Sequence, residues 1–255
     1  MKFIAFPLLA AAASMSTMLL AAEQIDKDTL FEMRTYYAPE GKIDELHQRF
    51  RDHTLKYFEK HGIKSIAYFV PEGRNPERKL IYFLAFPDRA ARDRAWKAFF
   101  ADPAWKEAAK QSEKNGKIVA KVEQVFLEAT DYSPMPKIEA KGPRVFELRT
   151  YTTPEGKLND LHARFRDHTM KLFSKHGMEN LIYWVKTPGQ EGVDTTLIYL
   201  LAHKDRNAGR KSFDSFRNDP DWLKAKSESE KDGSLTVPNG VKSEILVPTD
   251  YSPLK

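Results

Sequence analysis

Apolar and polar positions along the chain follow two rhythms in a fixed order. Over residues 30–37 the period is two: Phe31, Met33 and Thr35 fall on one side and Glu32, Arg34 and Tyr36 on the other, as in a half-buried strand. Pro39, Glu40 and Gly41 make a turn, and over residues 42–61 the period lengthens to that of a helix, with Ile43, Leu46, Phe50, Tyr57 and Phe58 on one broad face. Gly62 ends it. Two short β-like runs follow at 65–70 and 80–86, separated by a segment rich in turn residues. A second helical region runs from Asp88 to about Phe100, breaks at Asp102 and Pro103, and resumes through Trp105. A last strand at 122–127 and the sequence TDYSP at 130–134 complete the unit.

The whole succession then starts again. Residues 31–70 and 146–185 match at 24 of 40 positions without a gap, and TDYSP recurs at 249–253. A unit above 100 residues is too long for a solenoid repeat and suits a small domain, so the chain reads as a tandem duplication. The order β-α-β-β-α-β predicts an α+β architecture of two tandem ferredoxin-like units, residues 23–134 and 145–255, joined by a linker at 135–144. Such a unit carries helices on one face of its sheet only. We expect Glu32, Arg34 and Tyr36, with Tyr68 and Tyr82, to line the other face and meet a second sheet around an enclosed space.

Composition narrows the function. The formal charge of +5 comes from intermixed acids and bases, and no basic run, zinc-knuckle spacing or RNP-like box suggests nucleic acid as a partner. The absence of cysteine excludes disulfides, thiolate metal sites and a thiol nucleophile. Residues 1–22 have a basic start, an apolar core and small residues at the exit. They read as a signal peptide cleaved near Ala21 or Ala22, which predicts a periplasmic or secreted protein without a permanent membrane span.

The strand-turn-helix sequence FEMRTYYAPEGKIDELHQRFRDHTLKYFEKHG, its second copy, and the DPAW and DPDW motifs at 102–105 and 219–222 resemble the NIPSNAP family of the dimeric α/β-barrel superfamily. The likeness covers both repeats. It implies ferredoxin-like sheets paired into a barrel, within the chain or across a homodimer. From the wider superfamily it implies, for an enzyme, monooxygenase- or isomerase-like chemistry without a cofactor.

Candidate chemistry comes in repeat pairs. Glu32, Arg34 and Tyr36, with Glu147, Arg149 and Tyr151, put carboxylate, guanidinium and phenol on one strand face, where they can hold an anion, polarise a carbonyl or supply a proton. The same Glu and Arg can equally form an ion pair that fixes the packing. Tyr68 and Tyr82, with Tyr183 and Tyr199, are the companion ligand-binding candidates. His47 and His162 are candidate bases or hydrogen-bonded core groups. His47 and His53, six apart, lie about 120° apart around a helix and cannot chelate, so no metal site is expected. His61 and His176 read as caps on the final helical carbonyls, and His203 stands where the first repeat has Phe86. Glu45 with Arg49 and Asp160 with Arg164 read as solvated helix pairs. Two functions stay open. An exported barrel that binds or transforms a small organic molecule needs a polar-lined cavity on the order of a few hundred cubic ångströms. A protein-interaction module tolerates a filled interior.

Overall fold

Each repeat folds as its alternation requires, and the two copies close on one another. The computed structural model describes residues 26–255, so the expected signal peptide at 1–22 lies outside the described residues. The first repeat contributes β1 (Leu30–Tyr37), α1 (Ile43–Arg49), a π-helical segment Phe50–Thr54, α2 (Leu55–Lys60), β2 (Lys64–Pro71), β3 (Lys79–Phe86), α3 (Arg89–Ala101), α4 (Pro103–Ser112) and β4 (Lys121–Ala129). The second contributes β5 (Val145–Thr152), α5 (Leu158–Arg164), a π segment Phe165–Thr169, α6 (Met170–Lys175), β6 (Glu179–Lys186), β7 (Thr196–His203), α7 (Arg206–Arg217), α8 (Pro220–Ser229) and β8 (Val241–Pro248).

The eight strands form one closed antiparallel barrel in the order β1-β3-β2-β8-β5-β7-β6-β4. The pseudo-dimer is therefore made within a single chain. Closure rests on two short seams of three residue pairs each, Phe69–Pro71 against Leu246–Pro248 and Leu127–Ala129 against Trp184–Lys186. Closing the sheet removes the free edges that β2 and β4 would otherwise expose. Gln190 extends the second seam: its side chain bonds both the N–H and the C=O of Phe126, at 2.9 and 2.7 Å.

The period-two pattern assigns the faces, and here one expectation is corrected. Phe31, Phe69, Phe83 and Leu127 of the first repeat meet Phe146, Ile182, Trp184 and Leu246 of the second inside the barrel. Glu32, Arg34, Tyr36, Tyr68 and Tyr82 point outward, under the helices. An alternating strand shows which residues share a face but not which face meets the helices. Large aromatic rings fill the barrel axis, Phe69 lying 4.8 Å from Phe146 and Phe83 stacked 5.0 Å from Trp184.

The first helical region is one run interrupted by a wide turn. Thr54 Oγ donates to the Arg49 carbonyl at 3.2 Å, and Thr169 Oγ does the same to Arg164 at 3.1 Å, satisfying the carbonyl five residues back where the turn is loosened. Asp102 caps α4 by accepting from the N–H groups of Ala104 and Trp105, with Pro103 in the first turn. His61 and His176 do not cap their own helices' carbonyls: each ring bonds this capping carboxylate, at 2.8 Å to Asp102 and 2.6 Å to Asp219. Nor are Arg49 and Arg164 solvated partners of Glu45 and Asp160. They are buried and reach Glu113 and Glu230, at 3.1 and 2.7 Å.

Candidate functional site

The sheet-helix layer of the first repeat is built around Glu32, which has no exposed surface. Its carboxylate accepts from Arg34 on the same strand at 2.5 Å, from Arg92 at 2.8 and 2.7 Å, and from the Trp96 indole at 2.9 Å. Arg92 and Trp96 are one turn apart on α3, so both reach down onto the same oxygen pair. Register brings in the remainder, because Arg34 lies opposite Tyr82 on β3 and Gln124 on β4. Arg34 Nε donates to the Tyr82 hydroxyl at 2.9 Å, Nη1 to Gln124 at 3.1 Å, and Nη2 reaches the Tyr36 hydroxyl at 3.5 Å. Burial alone would raise the Glu32 pKa, but the Arg92 hydrogen bond and the Arg34 and Arg92 charges outweigh it and hold the carboxyl below its ordinary range. Tyr68 stacks on Tyr82 and bonds Ser65 at 2.6 Å, and burial pushes both phenols up.

The second repeat keeps the carboxylate and guanidinium and changes what surrounds them. Glu147 accepts from Arg149 Nη1 and Ser243 Oγ, both at 2.5 Å, and its other oxygen lies 3.0 Å from His203 Nε2. His203, Gly209, Phe213 and Ser243 thus stand where the first repeat has Phe86, Arg92, Trp96 and Gln124. The exchange is sterically coupled: a Cβ at Gly209 would come within 3.0 Å of the His203 ring. Burial works against ionisation here too, but the His203 hydrogen bond, the Arg149 charge and the Ser243 hydrogen bond draw the Glu147 pKa down to about 2.

The larger difference is in satisfaction. Arg149 reaches the Tyr151 hydroxyl at 3.2 Å, yet Arg149 Nε, the Tyr199 hydroxyl and His203 Nδ1 are buried with no hydrogen-bond partner. The matching Arg34 and Tyr82 atoms bond each other in the first repeat. Arg49 and Arg164 leave Nε unpartnered in both repeats alike, and Trp184 does so singly inside the barrel. In the second repeat, by contrast, Arg149 Nε and His203 Nδ1 belong to two side chains that hold one carboxylate, and Tyr199 lies opposite Arg149 in the ladder. Tyr183 stacks on Tyr199 at 5.0 Å and bonds Asn180.

His47 and His162 lie apart from these clusters. Their Nδ1 atoms pair with the hydroxyls of Tyr251 and Tyr132, each at 2.7 Å, and each tyrosine belongs to the TDYSP segment of the other repeat. Arg51 and Arg166 clasp the preceding Asp250 and Asp131 through two bonds apiece. Burial, aided by the adjacent arginine, lowers both imidazole pKa values. His47 and His162, candidates for bases or hydrogen-bonded core groups, thus help to clasp the two repeats together.

Sequence reasoning did not find Arg92, Trp96 and Gln124, nor Gly209 and Ser243. The available signal was the position of 92 and 96, four and eight residues after the capping Asp88. His203 was visible as the histidine without a repeat partner. A groove of about 1170 Å³ lies elsewhere, between α2, the start of β2 and the first described residues. Asp26, Lys27, Asp28, Glu59 and Lys64 give it an opposed, mixed lining in which no set of like groups converges. Among the described residues no group of three or more His, Asp or Glu side chains could hold a metal ion, and no helix is long and apolar enough to cross a membrane.

Comparison with known proteins bears on the fold first. A provisionally assigned monooxygenase from Lactobacillus acidophilus superposes with a TM-score of 0.54 at 14% identity, over 86% of this chain and 93% of its own. One from Fusobacterium nucleatum gives 0.54 at 13% identity, over 86% and 92%. A NIPSNAP-like domain protein of uncharacterised function from Burkholderia xenovorans is 18% identical and covers 44% of this chain and 95% of its own, with a TM-score of 0.38. The first two likenesses carry the barrel architecture and no chemistry. No curated protein matches the chain. The family profile described as NIPSNAP matches residues 31–134 and again 146–253. Two tandem copies of one family domain thus build one barrel, and the chain belongs to the NIPSNAP family.

Proposed function

We propose that the protein binds a small organic molecule through an anionic or carbonyl oxygen at the Arg149 cluster of the second repeat, while the Arg34 cluster of the first serves the fold. The observation that carries this reading is that Arg149 Nε and Tyr199 OH, opposite each other in the ladder, are unpartnered where the matching Arg34 and Tyr82 atoms bond each other. A buried polar group without a partner costs about 1–3 kcal/mol, so a ligand that brings an oxygen to the Arg149 N–H and the Tyr199 O–H recovers that cost on binding. Arg149 is the anchor, and Tyr151 and Tyr199 are the hydrogen-bonding groups beside it. Ser243 bonds Glu147, so the Arg149 guanidinium lacks the contact that Gln124 gives Arg34.

Catalysis on the bound molecule is a further step. The two provisionally assigned monooxygenases motivate an oxygenation assay, and their identity to this chain supports nothing finer. Export, proposed from residues 1–22, is tested by N-terminal sequencing of the mature protein, which should begin near Glu23.

A non-enzymatic interaction module is the second reading. It is favoured by the aromatic filling of the barrel and by the satisfied Glu32 network. Native mass spectrometry of the full mature chain from its own host separates the two. The binding reading expects a stoichiometric adduct that survives Arg34→Met and disappears in Arg149→Met. An apo mass throughout would overturn it and leave the interaction module.

A further inference from the structure

We infer that Ser215, His176 and Asp219 form a hydrolytic site on the helical layer of the second repeat, with Ser215 as the nucleophile towards esters of good leaving groups. The site shares no residue with the Arg149 cluster and stands independently of it. His176 follows the last residue of α6, and its ring lies between two groups: Nε2 is 2.6 Å from Asp219 Oδ2, and Nδ1 is 2.9 Å from Ser215 Oγ on α7. Carboxylate, imidazole and hydroxyl are thus bonded in series, the arrangement that activates a serine.

The proton positions follow from the carboxylate. Asp219 is buried, its Oδ1 accepts from the Asp221 N–H at 2.9 Å, and its Oδ2 also receives Lys175 Nζ at 2.8 Å. The Lys175 and His176 hydrogen bonds hold its carboxyl well below the ordinary range, so an ionised oxygen accepts the Nε2–H. In the neutral ring Nδ1 is then a lone pair, and it accepts from the Ser215 O–H. Ser215 is exposed and open to a substrate from solvent, while the ring behind it is only partly exposed.

Comparison of the repeats isolates the serines. His61 bonds Asp102 at 2.8 Å in the same way, but α3 has Ala95 and Ala98 where α7 has Ser212 and Ser215. The first repeat closes its His–Asp contact without either hydroxyl, so the capping does not require them. Ser212 lies one turn before Ser215 on the same face of α7. A Cβ at Gly177 would come 3.8 Å from its Oγ, which places Ser212 beside His176 as a donor for the carbonyl oxygen of a bound ester. The exposed position gives little shielding from water, which restricts the class to esters whose leaving group departs readily, such as aryl esters.

In the first step Ser215 Oγ bonds the acyl carbon as its proton passes to His176 Nδ1. The bond to the aryl oxygen breaks, and the phenolate takes that proton. Water then attacks the acyl-serine, giving a proton to Nδ1 that returns to Ser215 as the carboxylic acid leaves.

The probe is p-nitrophenyl acetate on the full mature chain, read by release of p-nitrophenolate and by peptide mass mapping of the acetyl group. The expected result is a burst of about one phenolate per chain, with the acetyl group on Ser215 and not on Ser227, an exposed serine of α8 that serves as the reference. Ser215→Ala, which restores the first-repeat residue, should abolish the burst. His176→Gln should slow acetylation of Ser215 at least about tenfold. His176→Gln removes a buried contact and can unfold the repeat, so A95S/A98S, which leaves the Ser215 site intact, carries the same test: it should add a second acetylation at position 98. Acetylation of Ser215 no faster than that of Ser227, undiminished acetylation in His176→Gln, or no second acetylation in A95S/A98S would overturn the inference.

Discussion

Glu32 and Glu147 occupy matched positions, yet their neighbours make them respond differently to the same substitution. Glu32→Gln leaves the buried Arg34 without its carboxylate, at a cost of about 3–5 kcal/mol, and takes from the half-buried Arg92 one of its two carboxylates, Asp93 remaining. Glu147→Gln strands only Arg149, whose side chain is slightly more exposed than that of Arg34, so it should cost less. Urea unfolding of the two variants at about pH 7.5 checks the order. The pH dependence has a defined sign. Glu147 titrates at about 2 in the folded chain against 4.5 when unperturbed, so its contribution is complete above about pH 4.5 and is lost as pH falls towards 2. Glu147→Gln should flatten that part of the acid-stability curve. A curve of unchanged slope would mean that the carboxylate is not held by its three donors.

At the scale of elements, the informative unit is TDYSP. The motif was legible as a repeat end, but its role was not, because its partners come from the opposite repeat and no local pattern encodes them. Thr130 N–H bonds the Tyr183 carbonyl and Thr249 N–H the Tyr68 carbonyl, both at 2.9 Å, so each segment continues onto the other repeat's sheet. Tyr251 then lies over Phe50 and Tyr68, with its hydroxyl on His47. The exposed Arg51–Asp250 pair should be worth less than about 1 kcal/mol. Removing the partly buried ring in Tyr251→Ala should cost more, about 2–3 kcal/mol. Denaturant midpoints of Arg51→Ala and Tyr251→Ala would show whether rings or charges hold the clasp. His47 and His162 add a pH term of the opposite origin to Glu147. Their folded pKa values are lowered, so the unfolded chain takes up protons first. Their contribution is complete above about pH 6.5 and declines as pH falls below it. His47→Gln should reduce that decline.

At the scale of the molecule, the elements and their order could be read from alternation and helical period, and the duplication could be read from identity. Which face of each sheet met the helices could not. Phe31, Met33 and Thr35 alternate with Glu32, Arg34 and Tyr36 whether the polar set lies inside or outside. The deciding fact is that Arg92 and Trp96, distant in sequence, converge on Glu32 from α3. For the same reason the site's chemistry was only half legible. The carboxylate and guanidinium are local, whereas the donors that make Glu147 unlike Glu32 arrive from β7 and β8.

The closed barrel also determines how the protein should come apart. Its core belongs to neither repeat: Trp184 of the second stacks on Phe83 of the first and meets the edge of Phe31, while Phe69 packs on Phe146. A separated repeat would expose that aromatic face together with the free edges of β2 and β4, an arrangement prone to association. Unfolding should therefore be a single cooperative transition of the whole chain. Trp184→Ala, which empties a fully buried site, should lower that one transition by about 3–5 kcal/mol without splitting it. Cutting the chain within the linker at 135–144 should give two fragments that co-purify in a 1:1 ratio, because the seams and the shared core do not depend on covalent continuity. Calorimetry of the intact chain and size-exclusion chromatography of the co-expressed fragments are the two measurements. Two separate thermal transitions, or a first-repeat fragment that elutes as a stable monomer, would mean that each sheet is covered by its own helices alone and that the aromatic interior is an interface between independent domains.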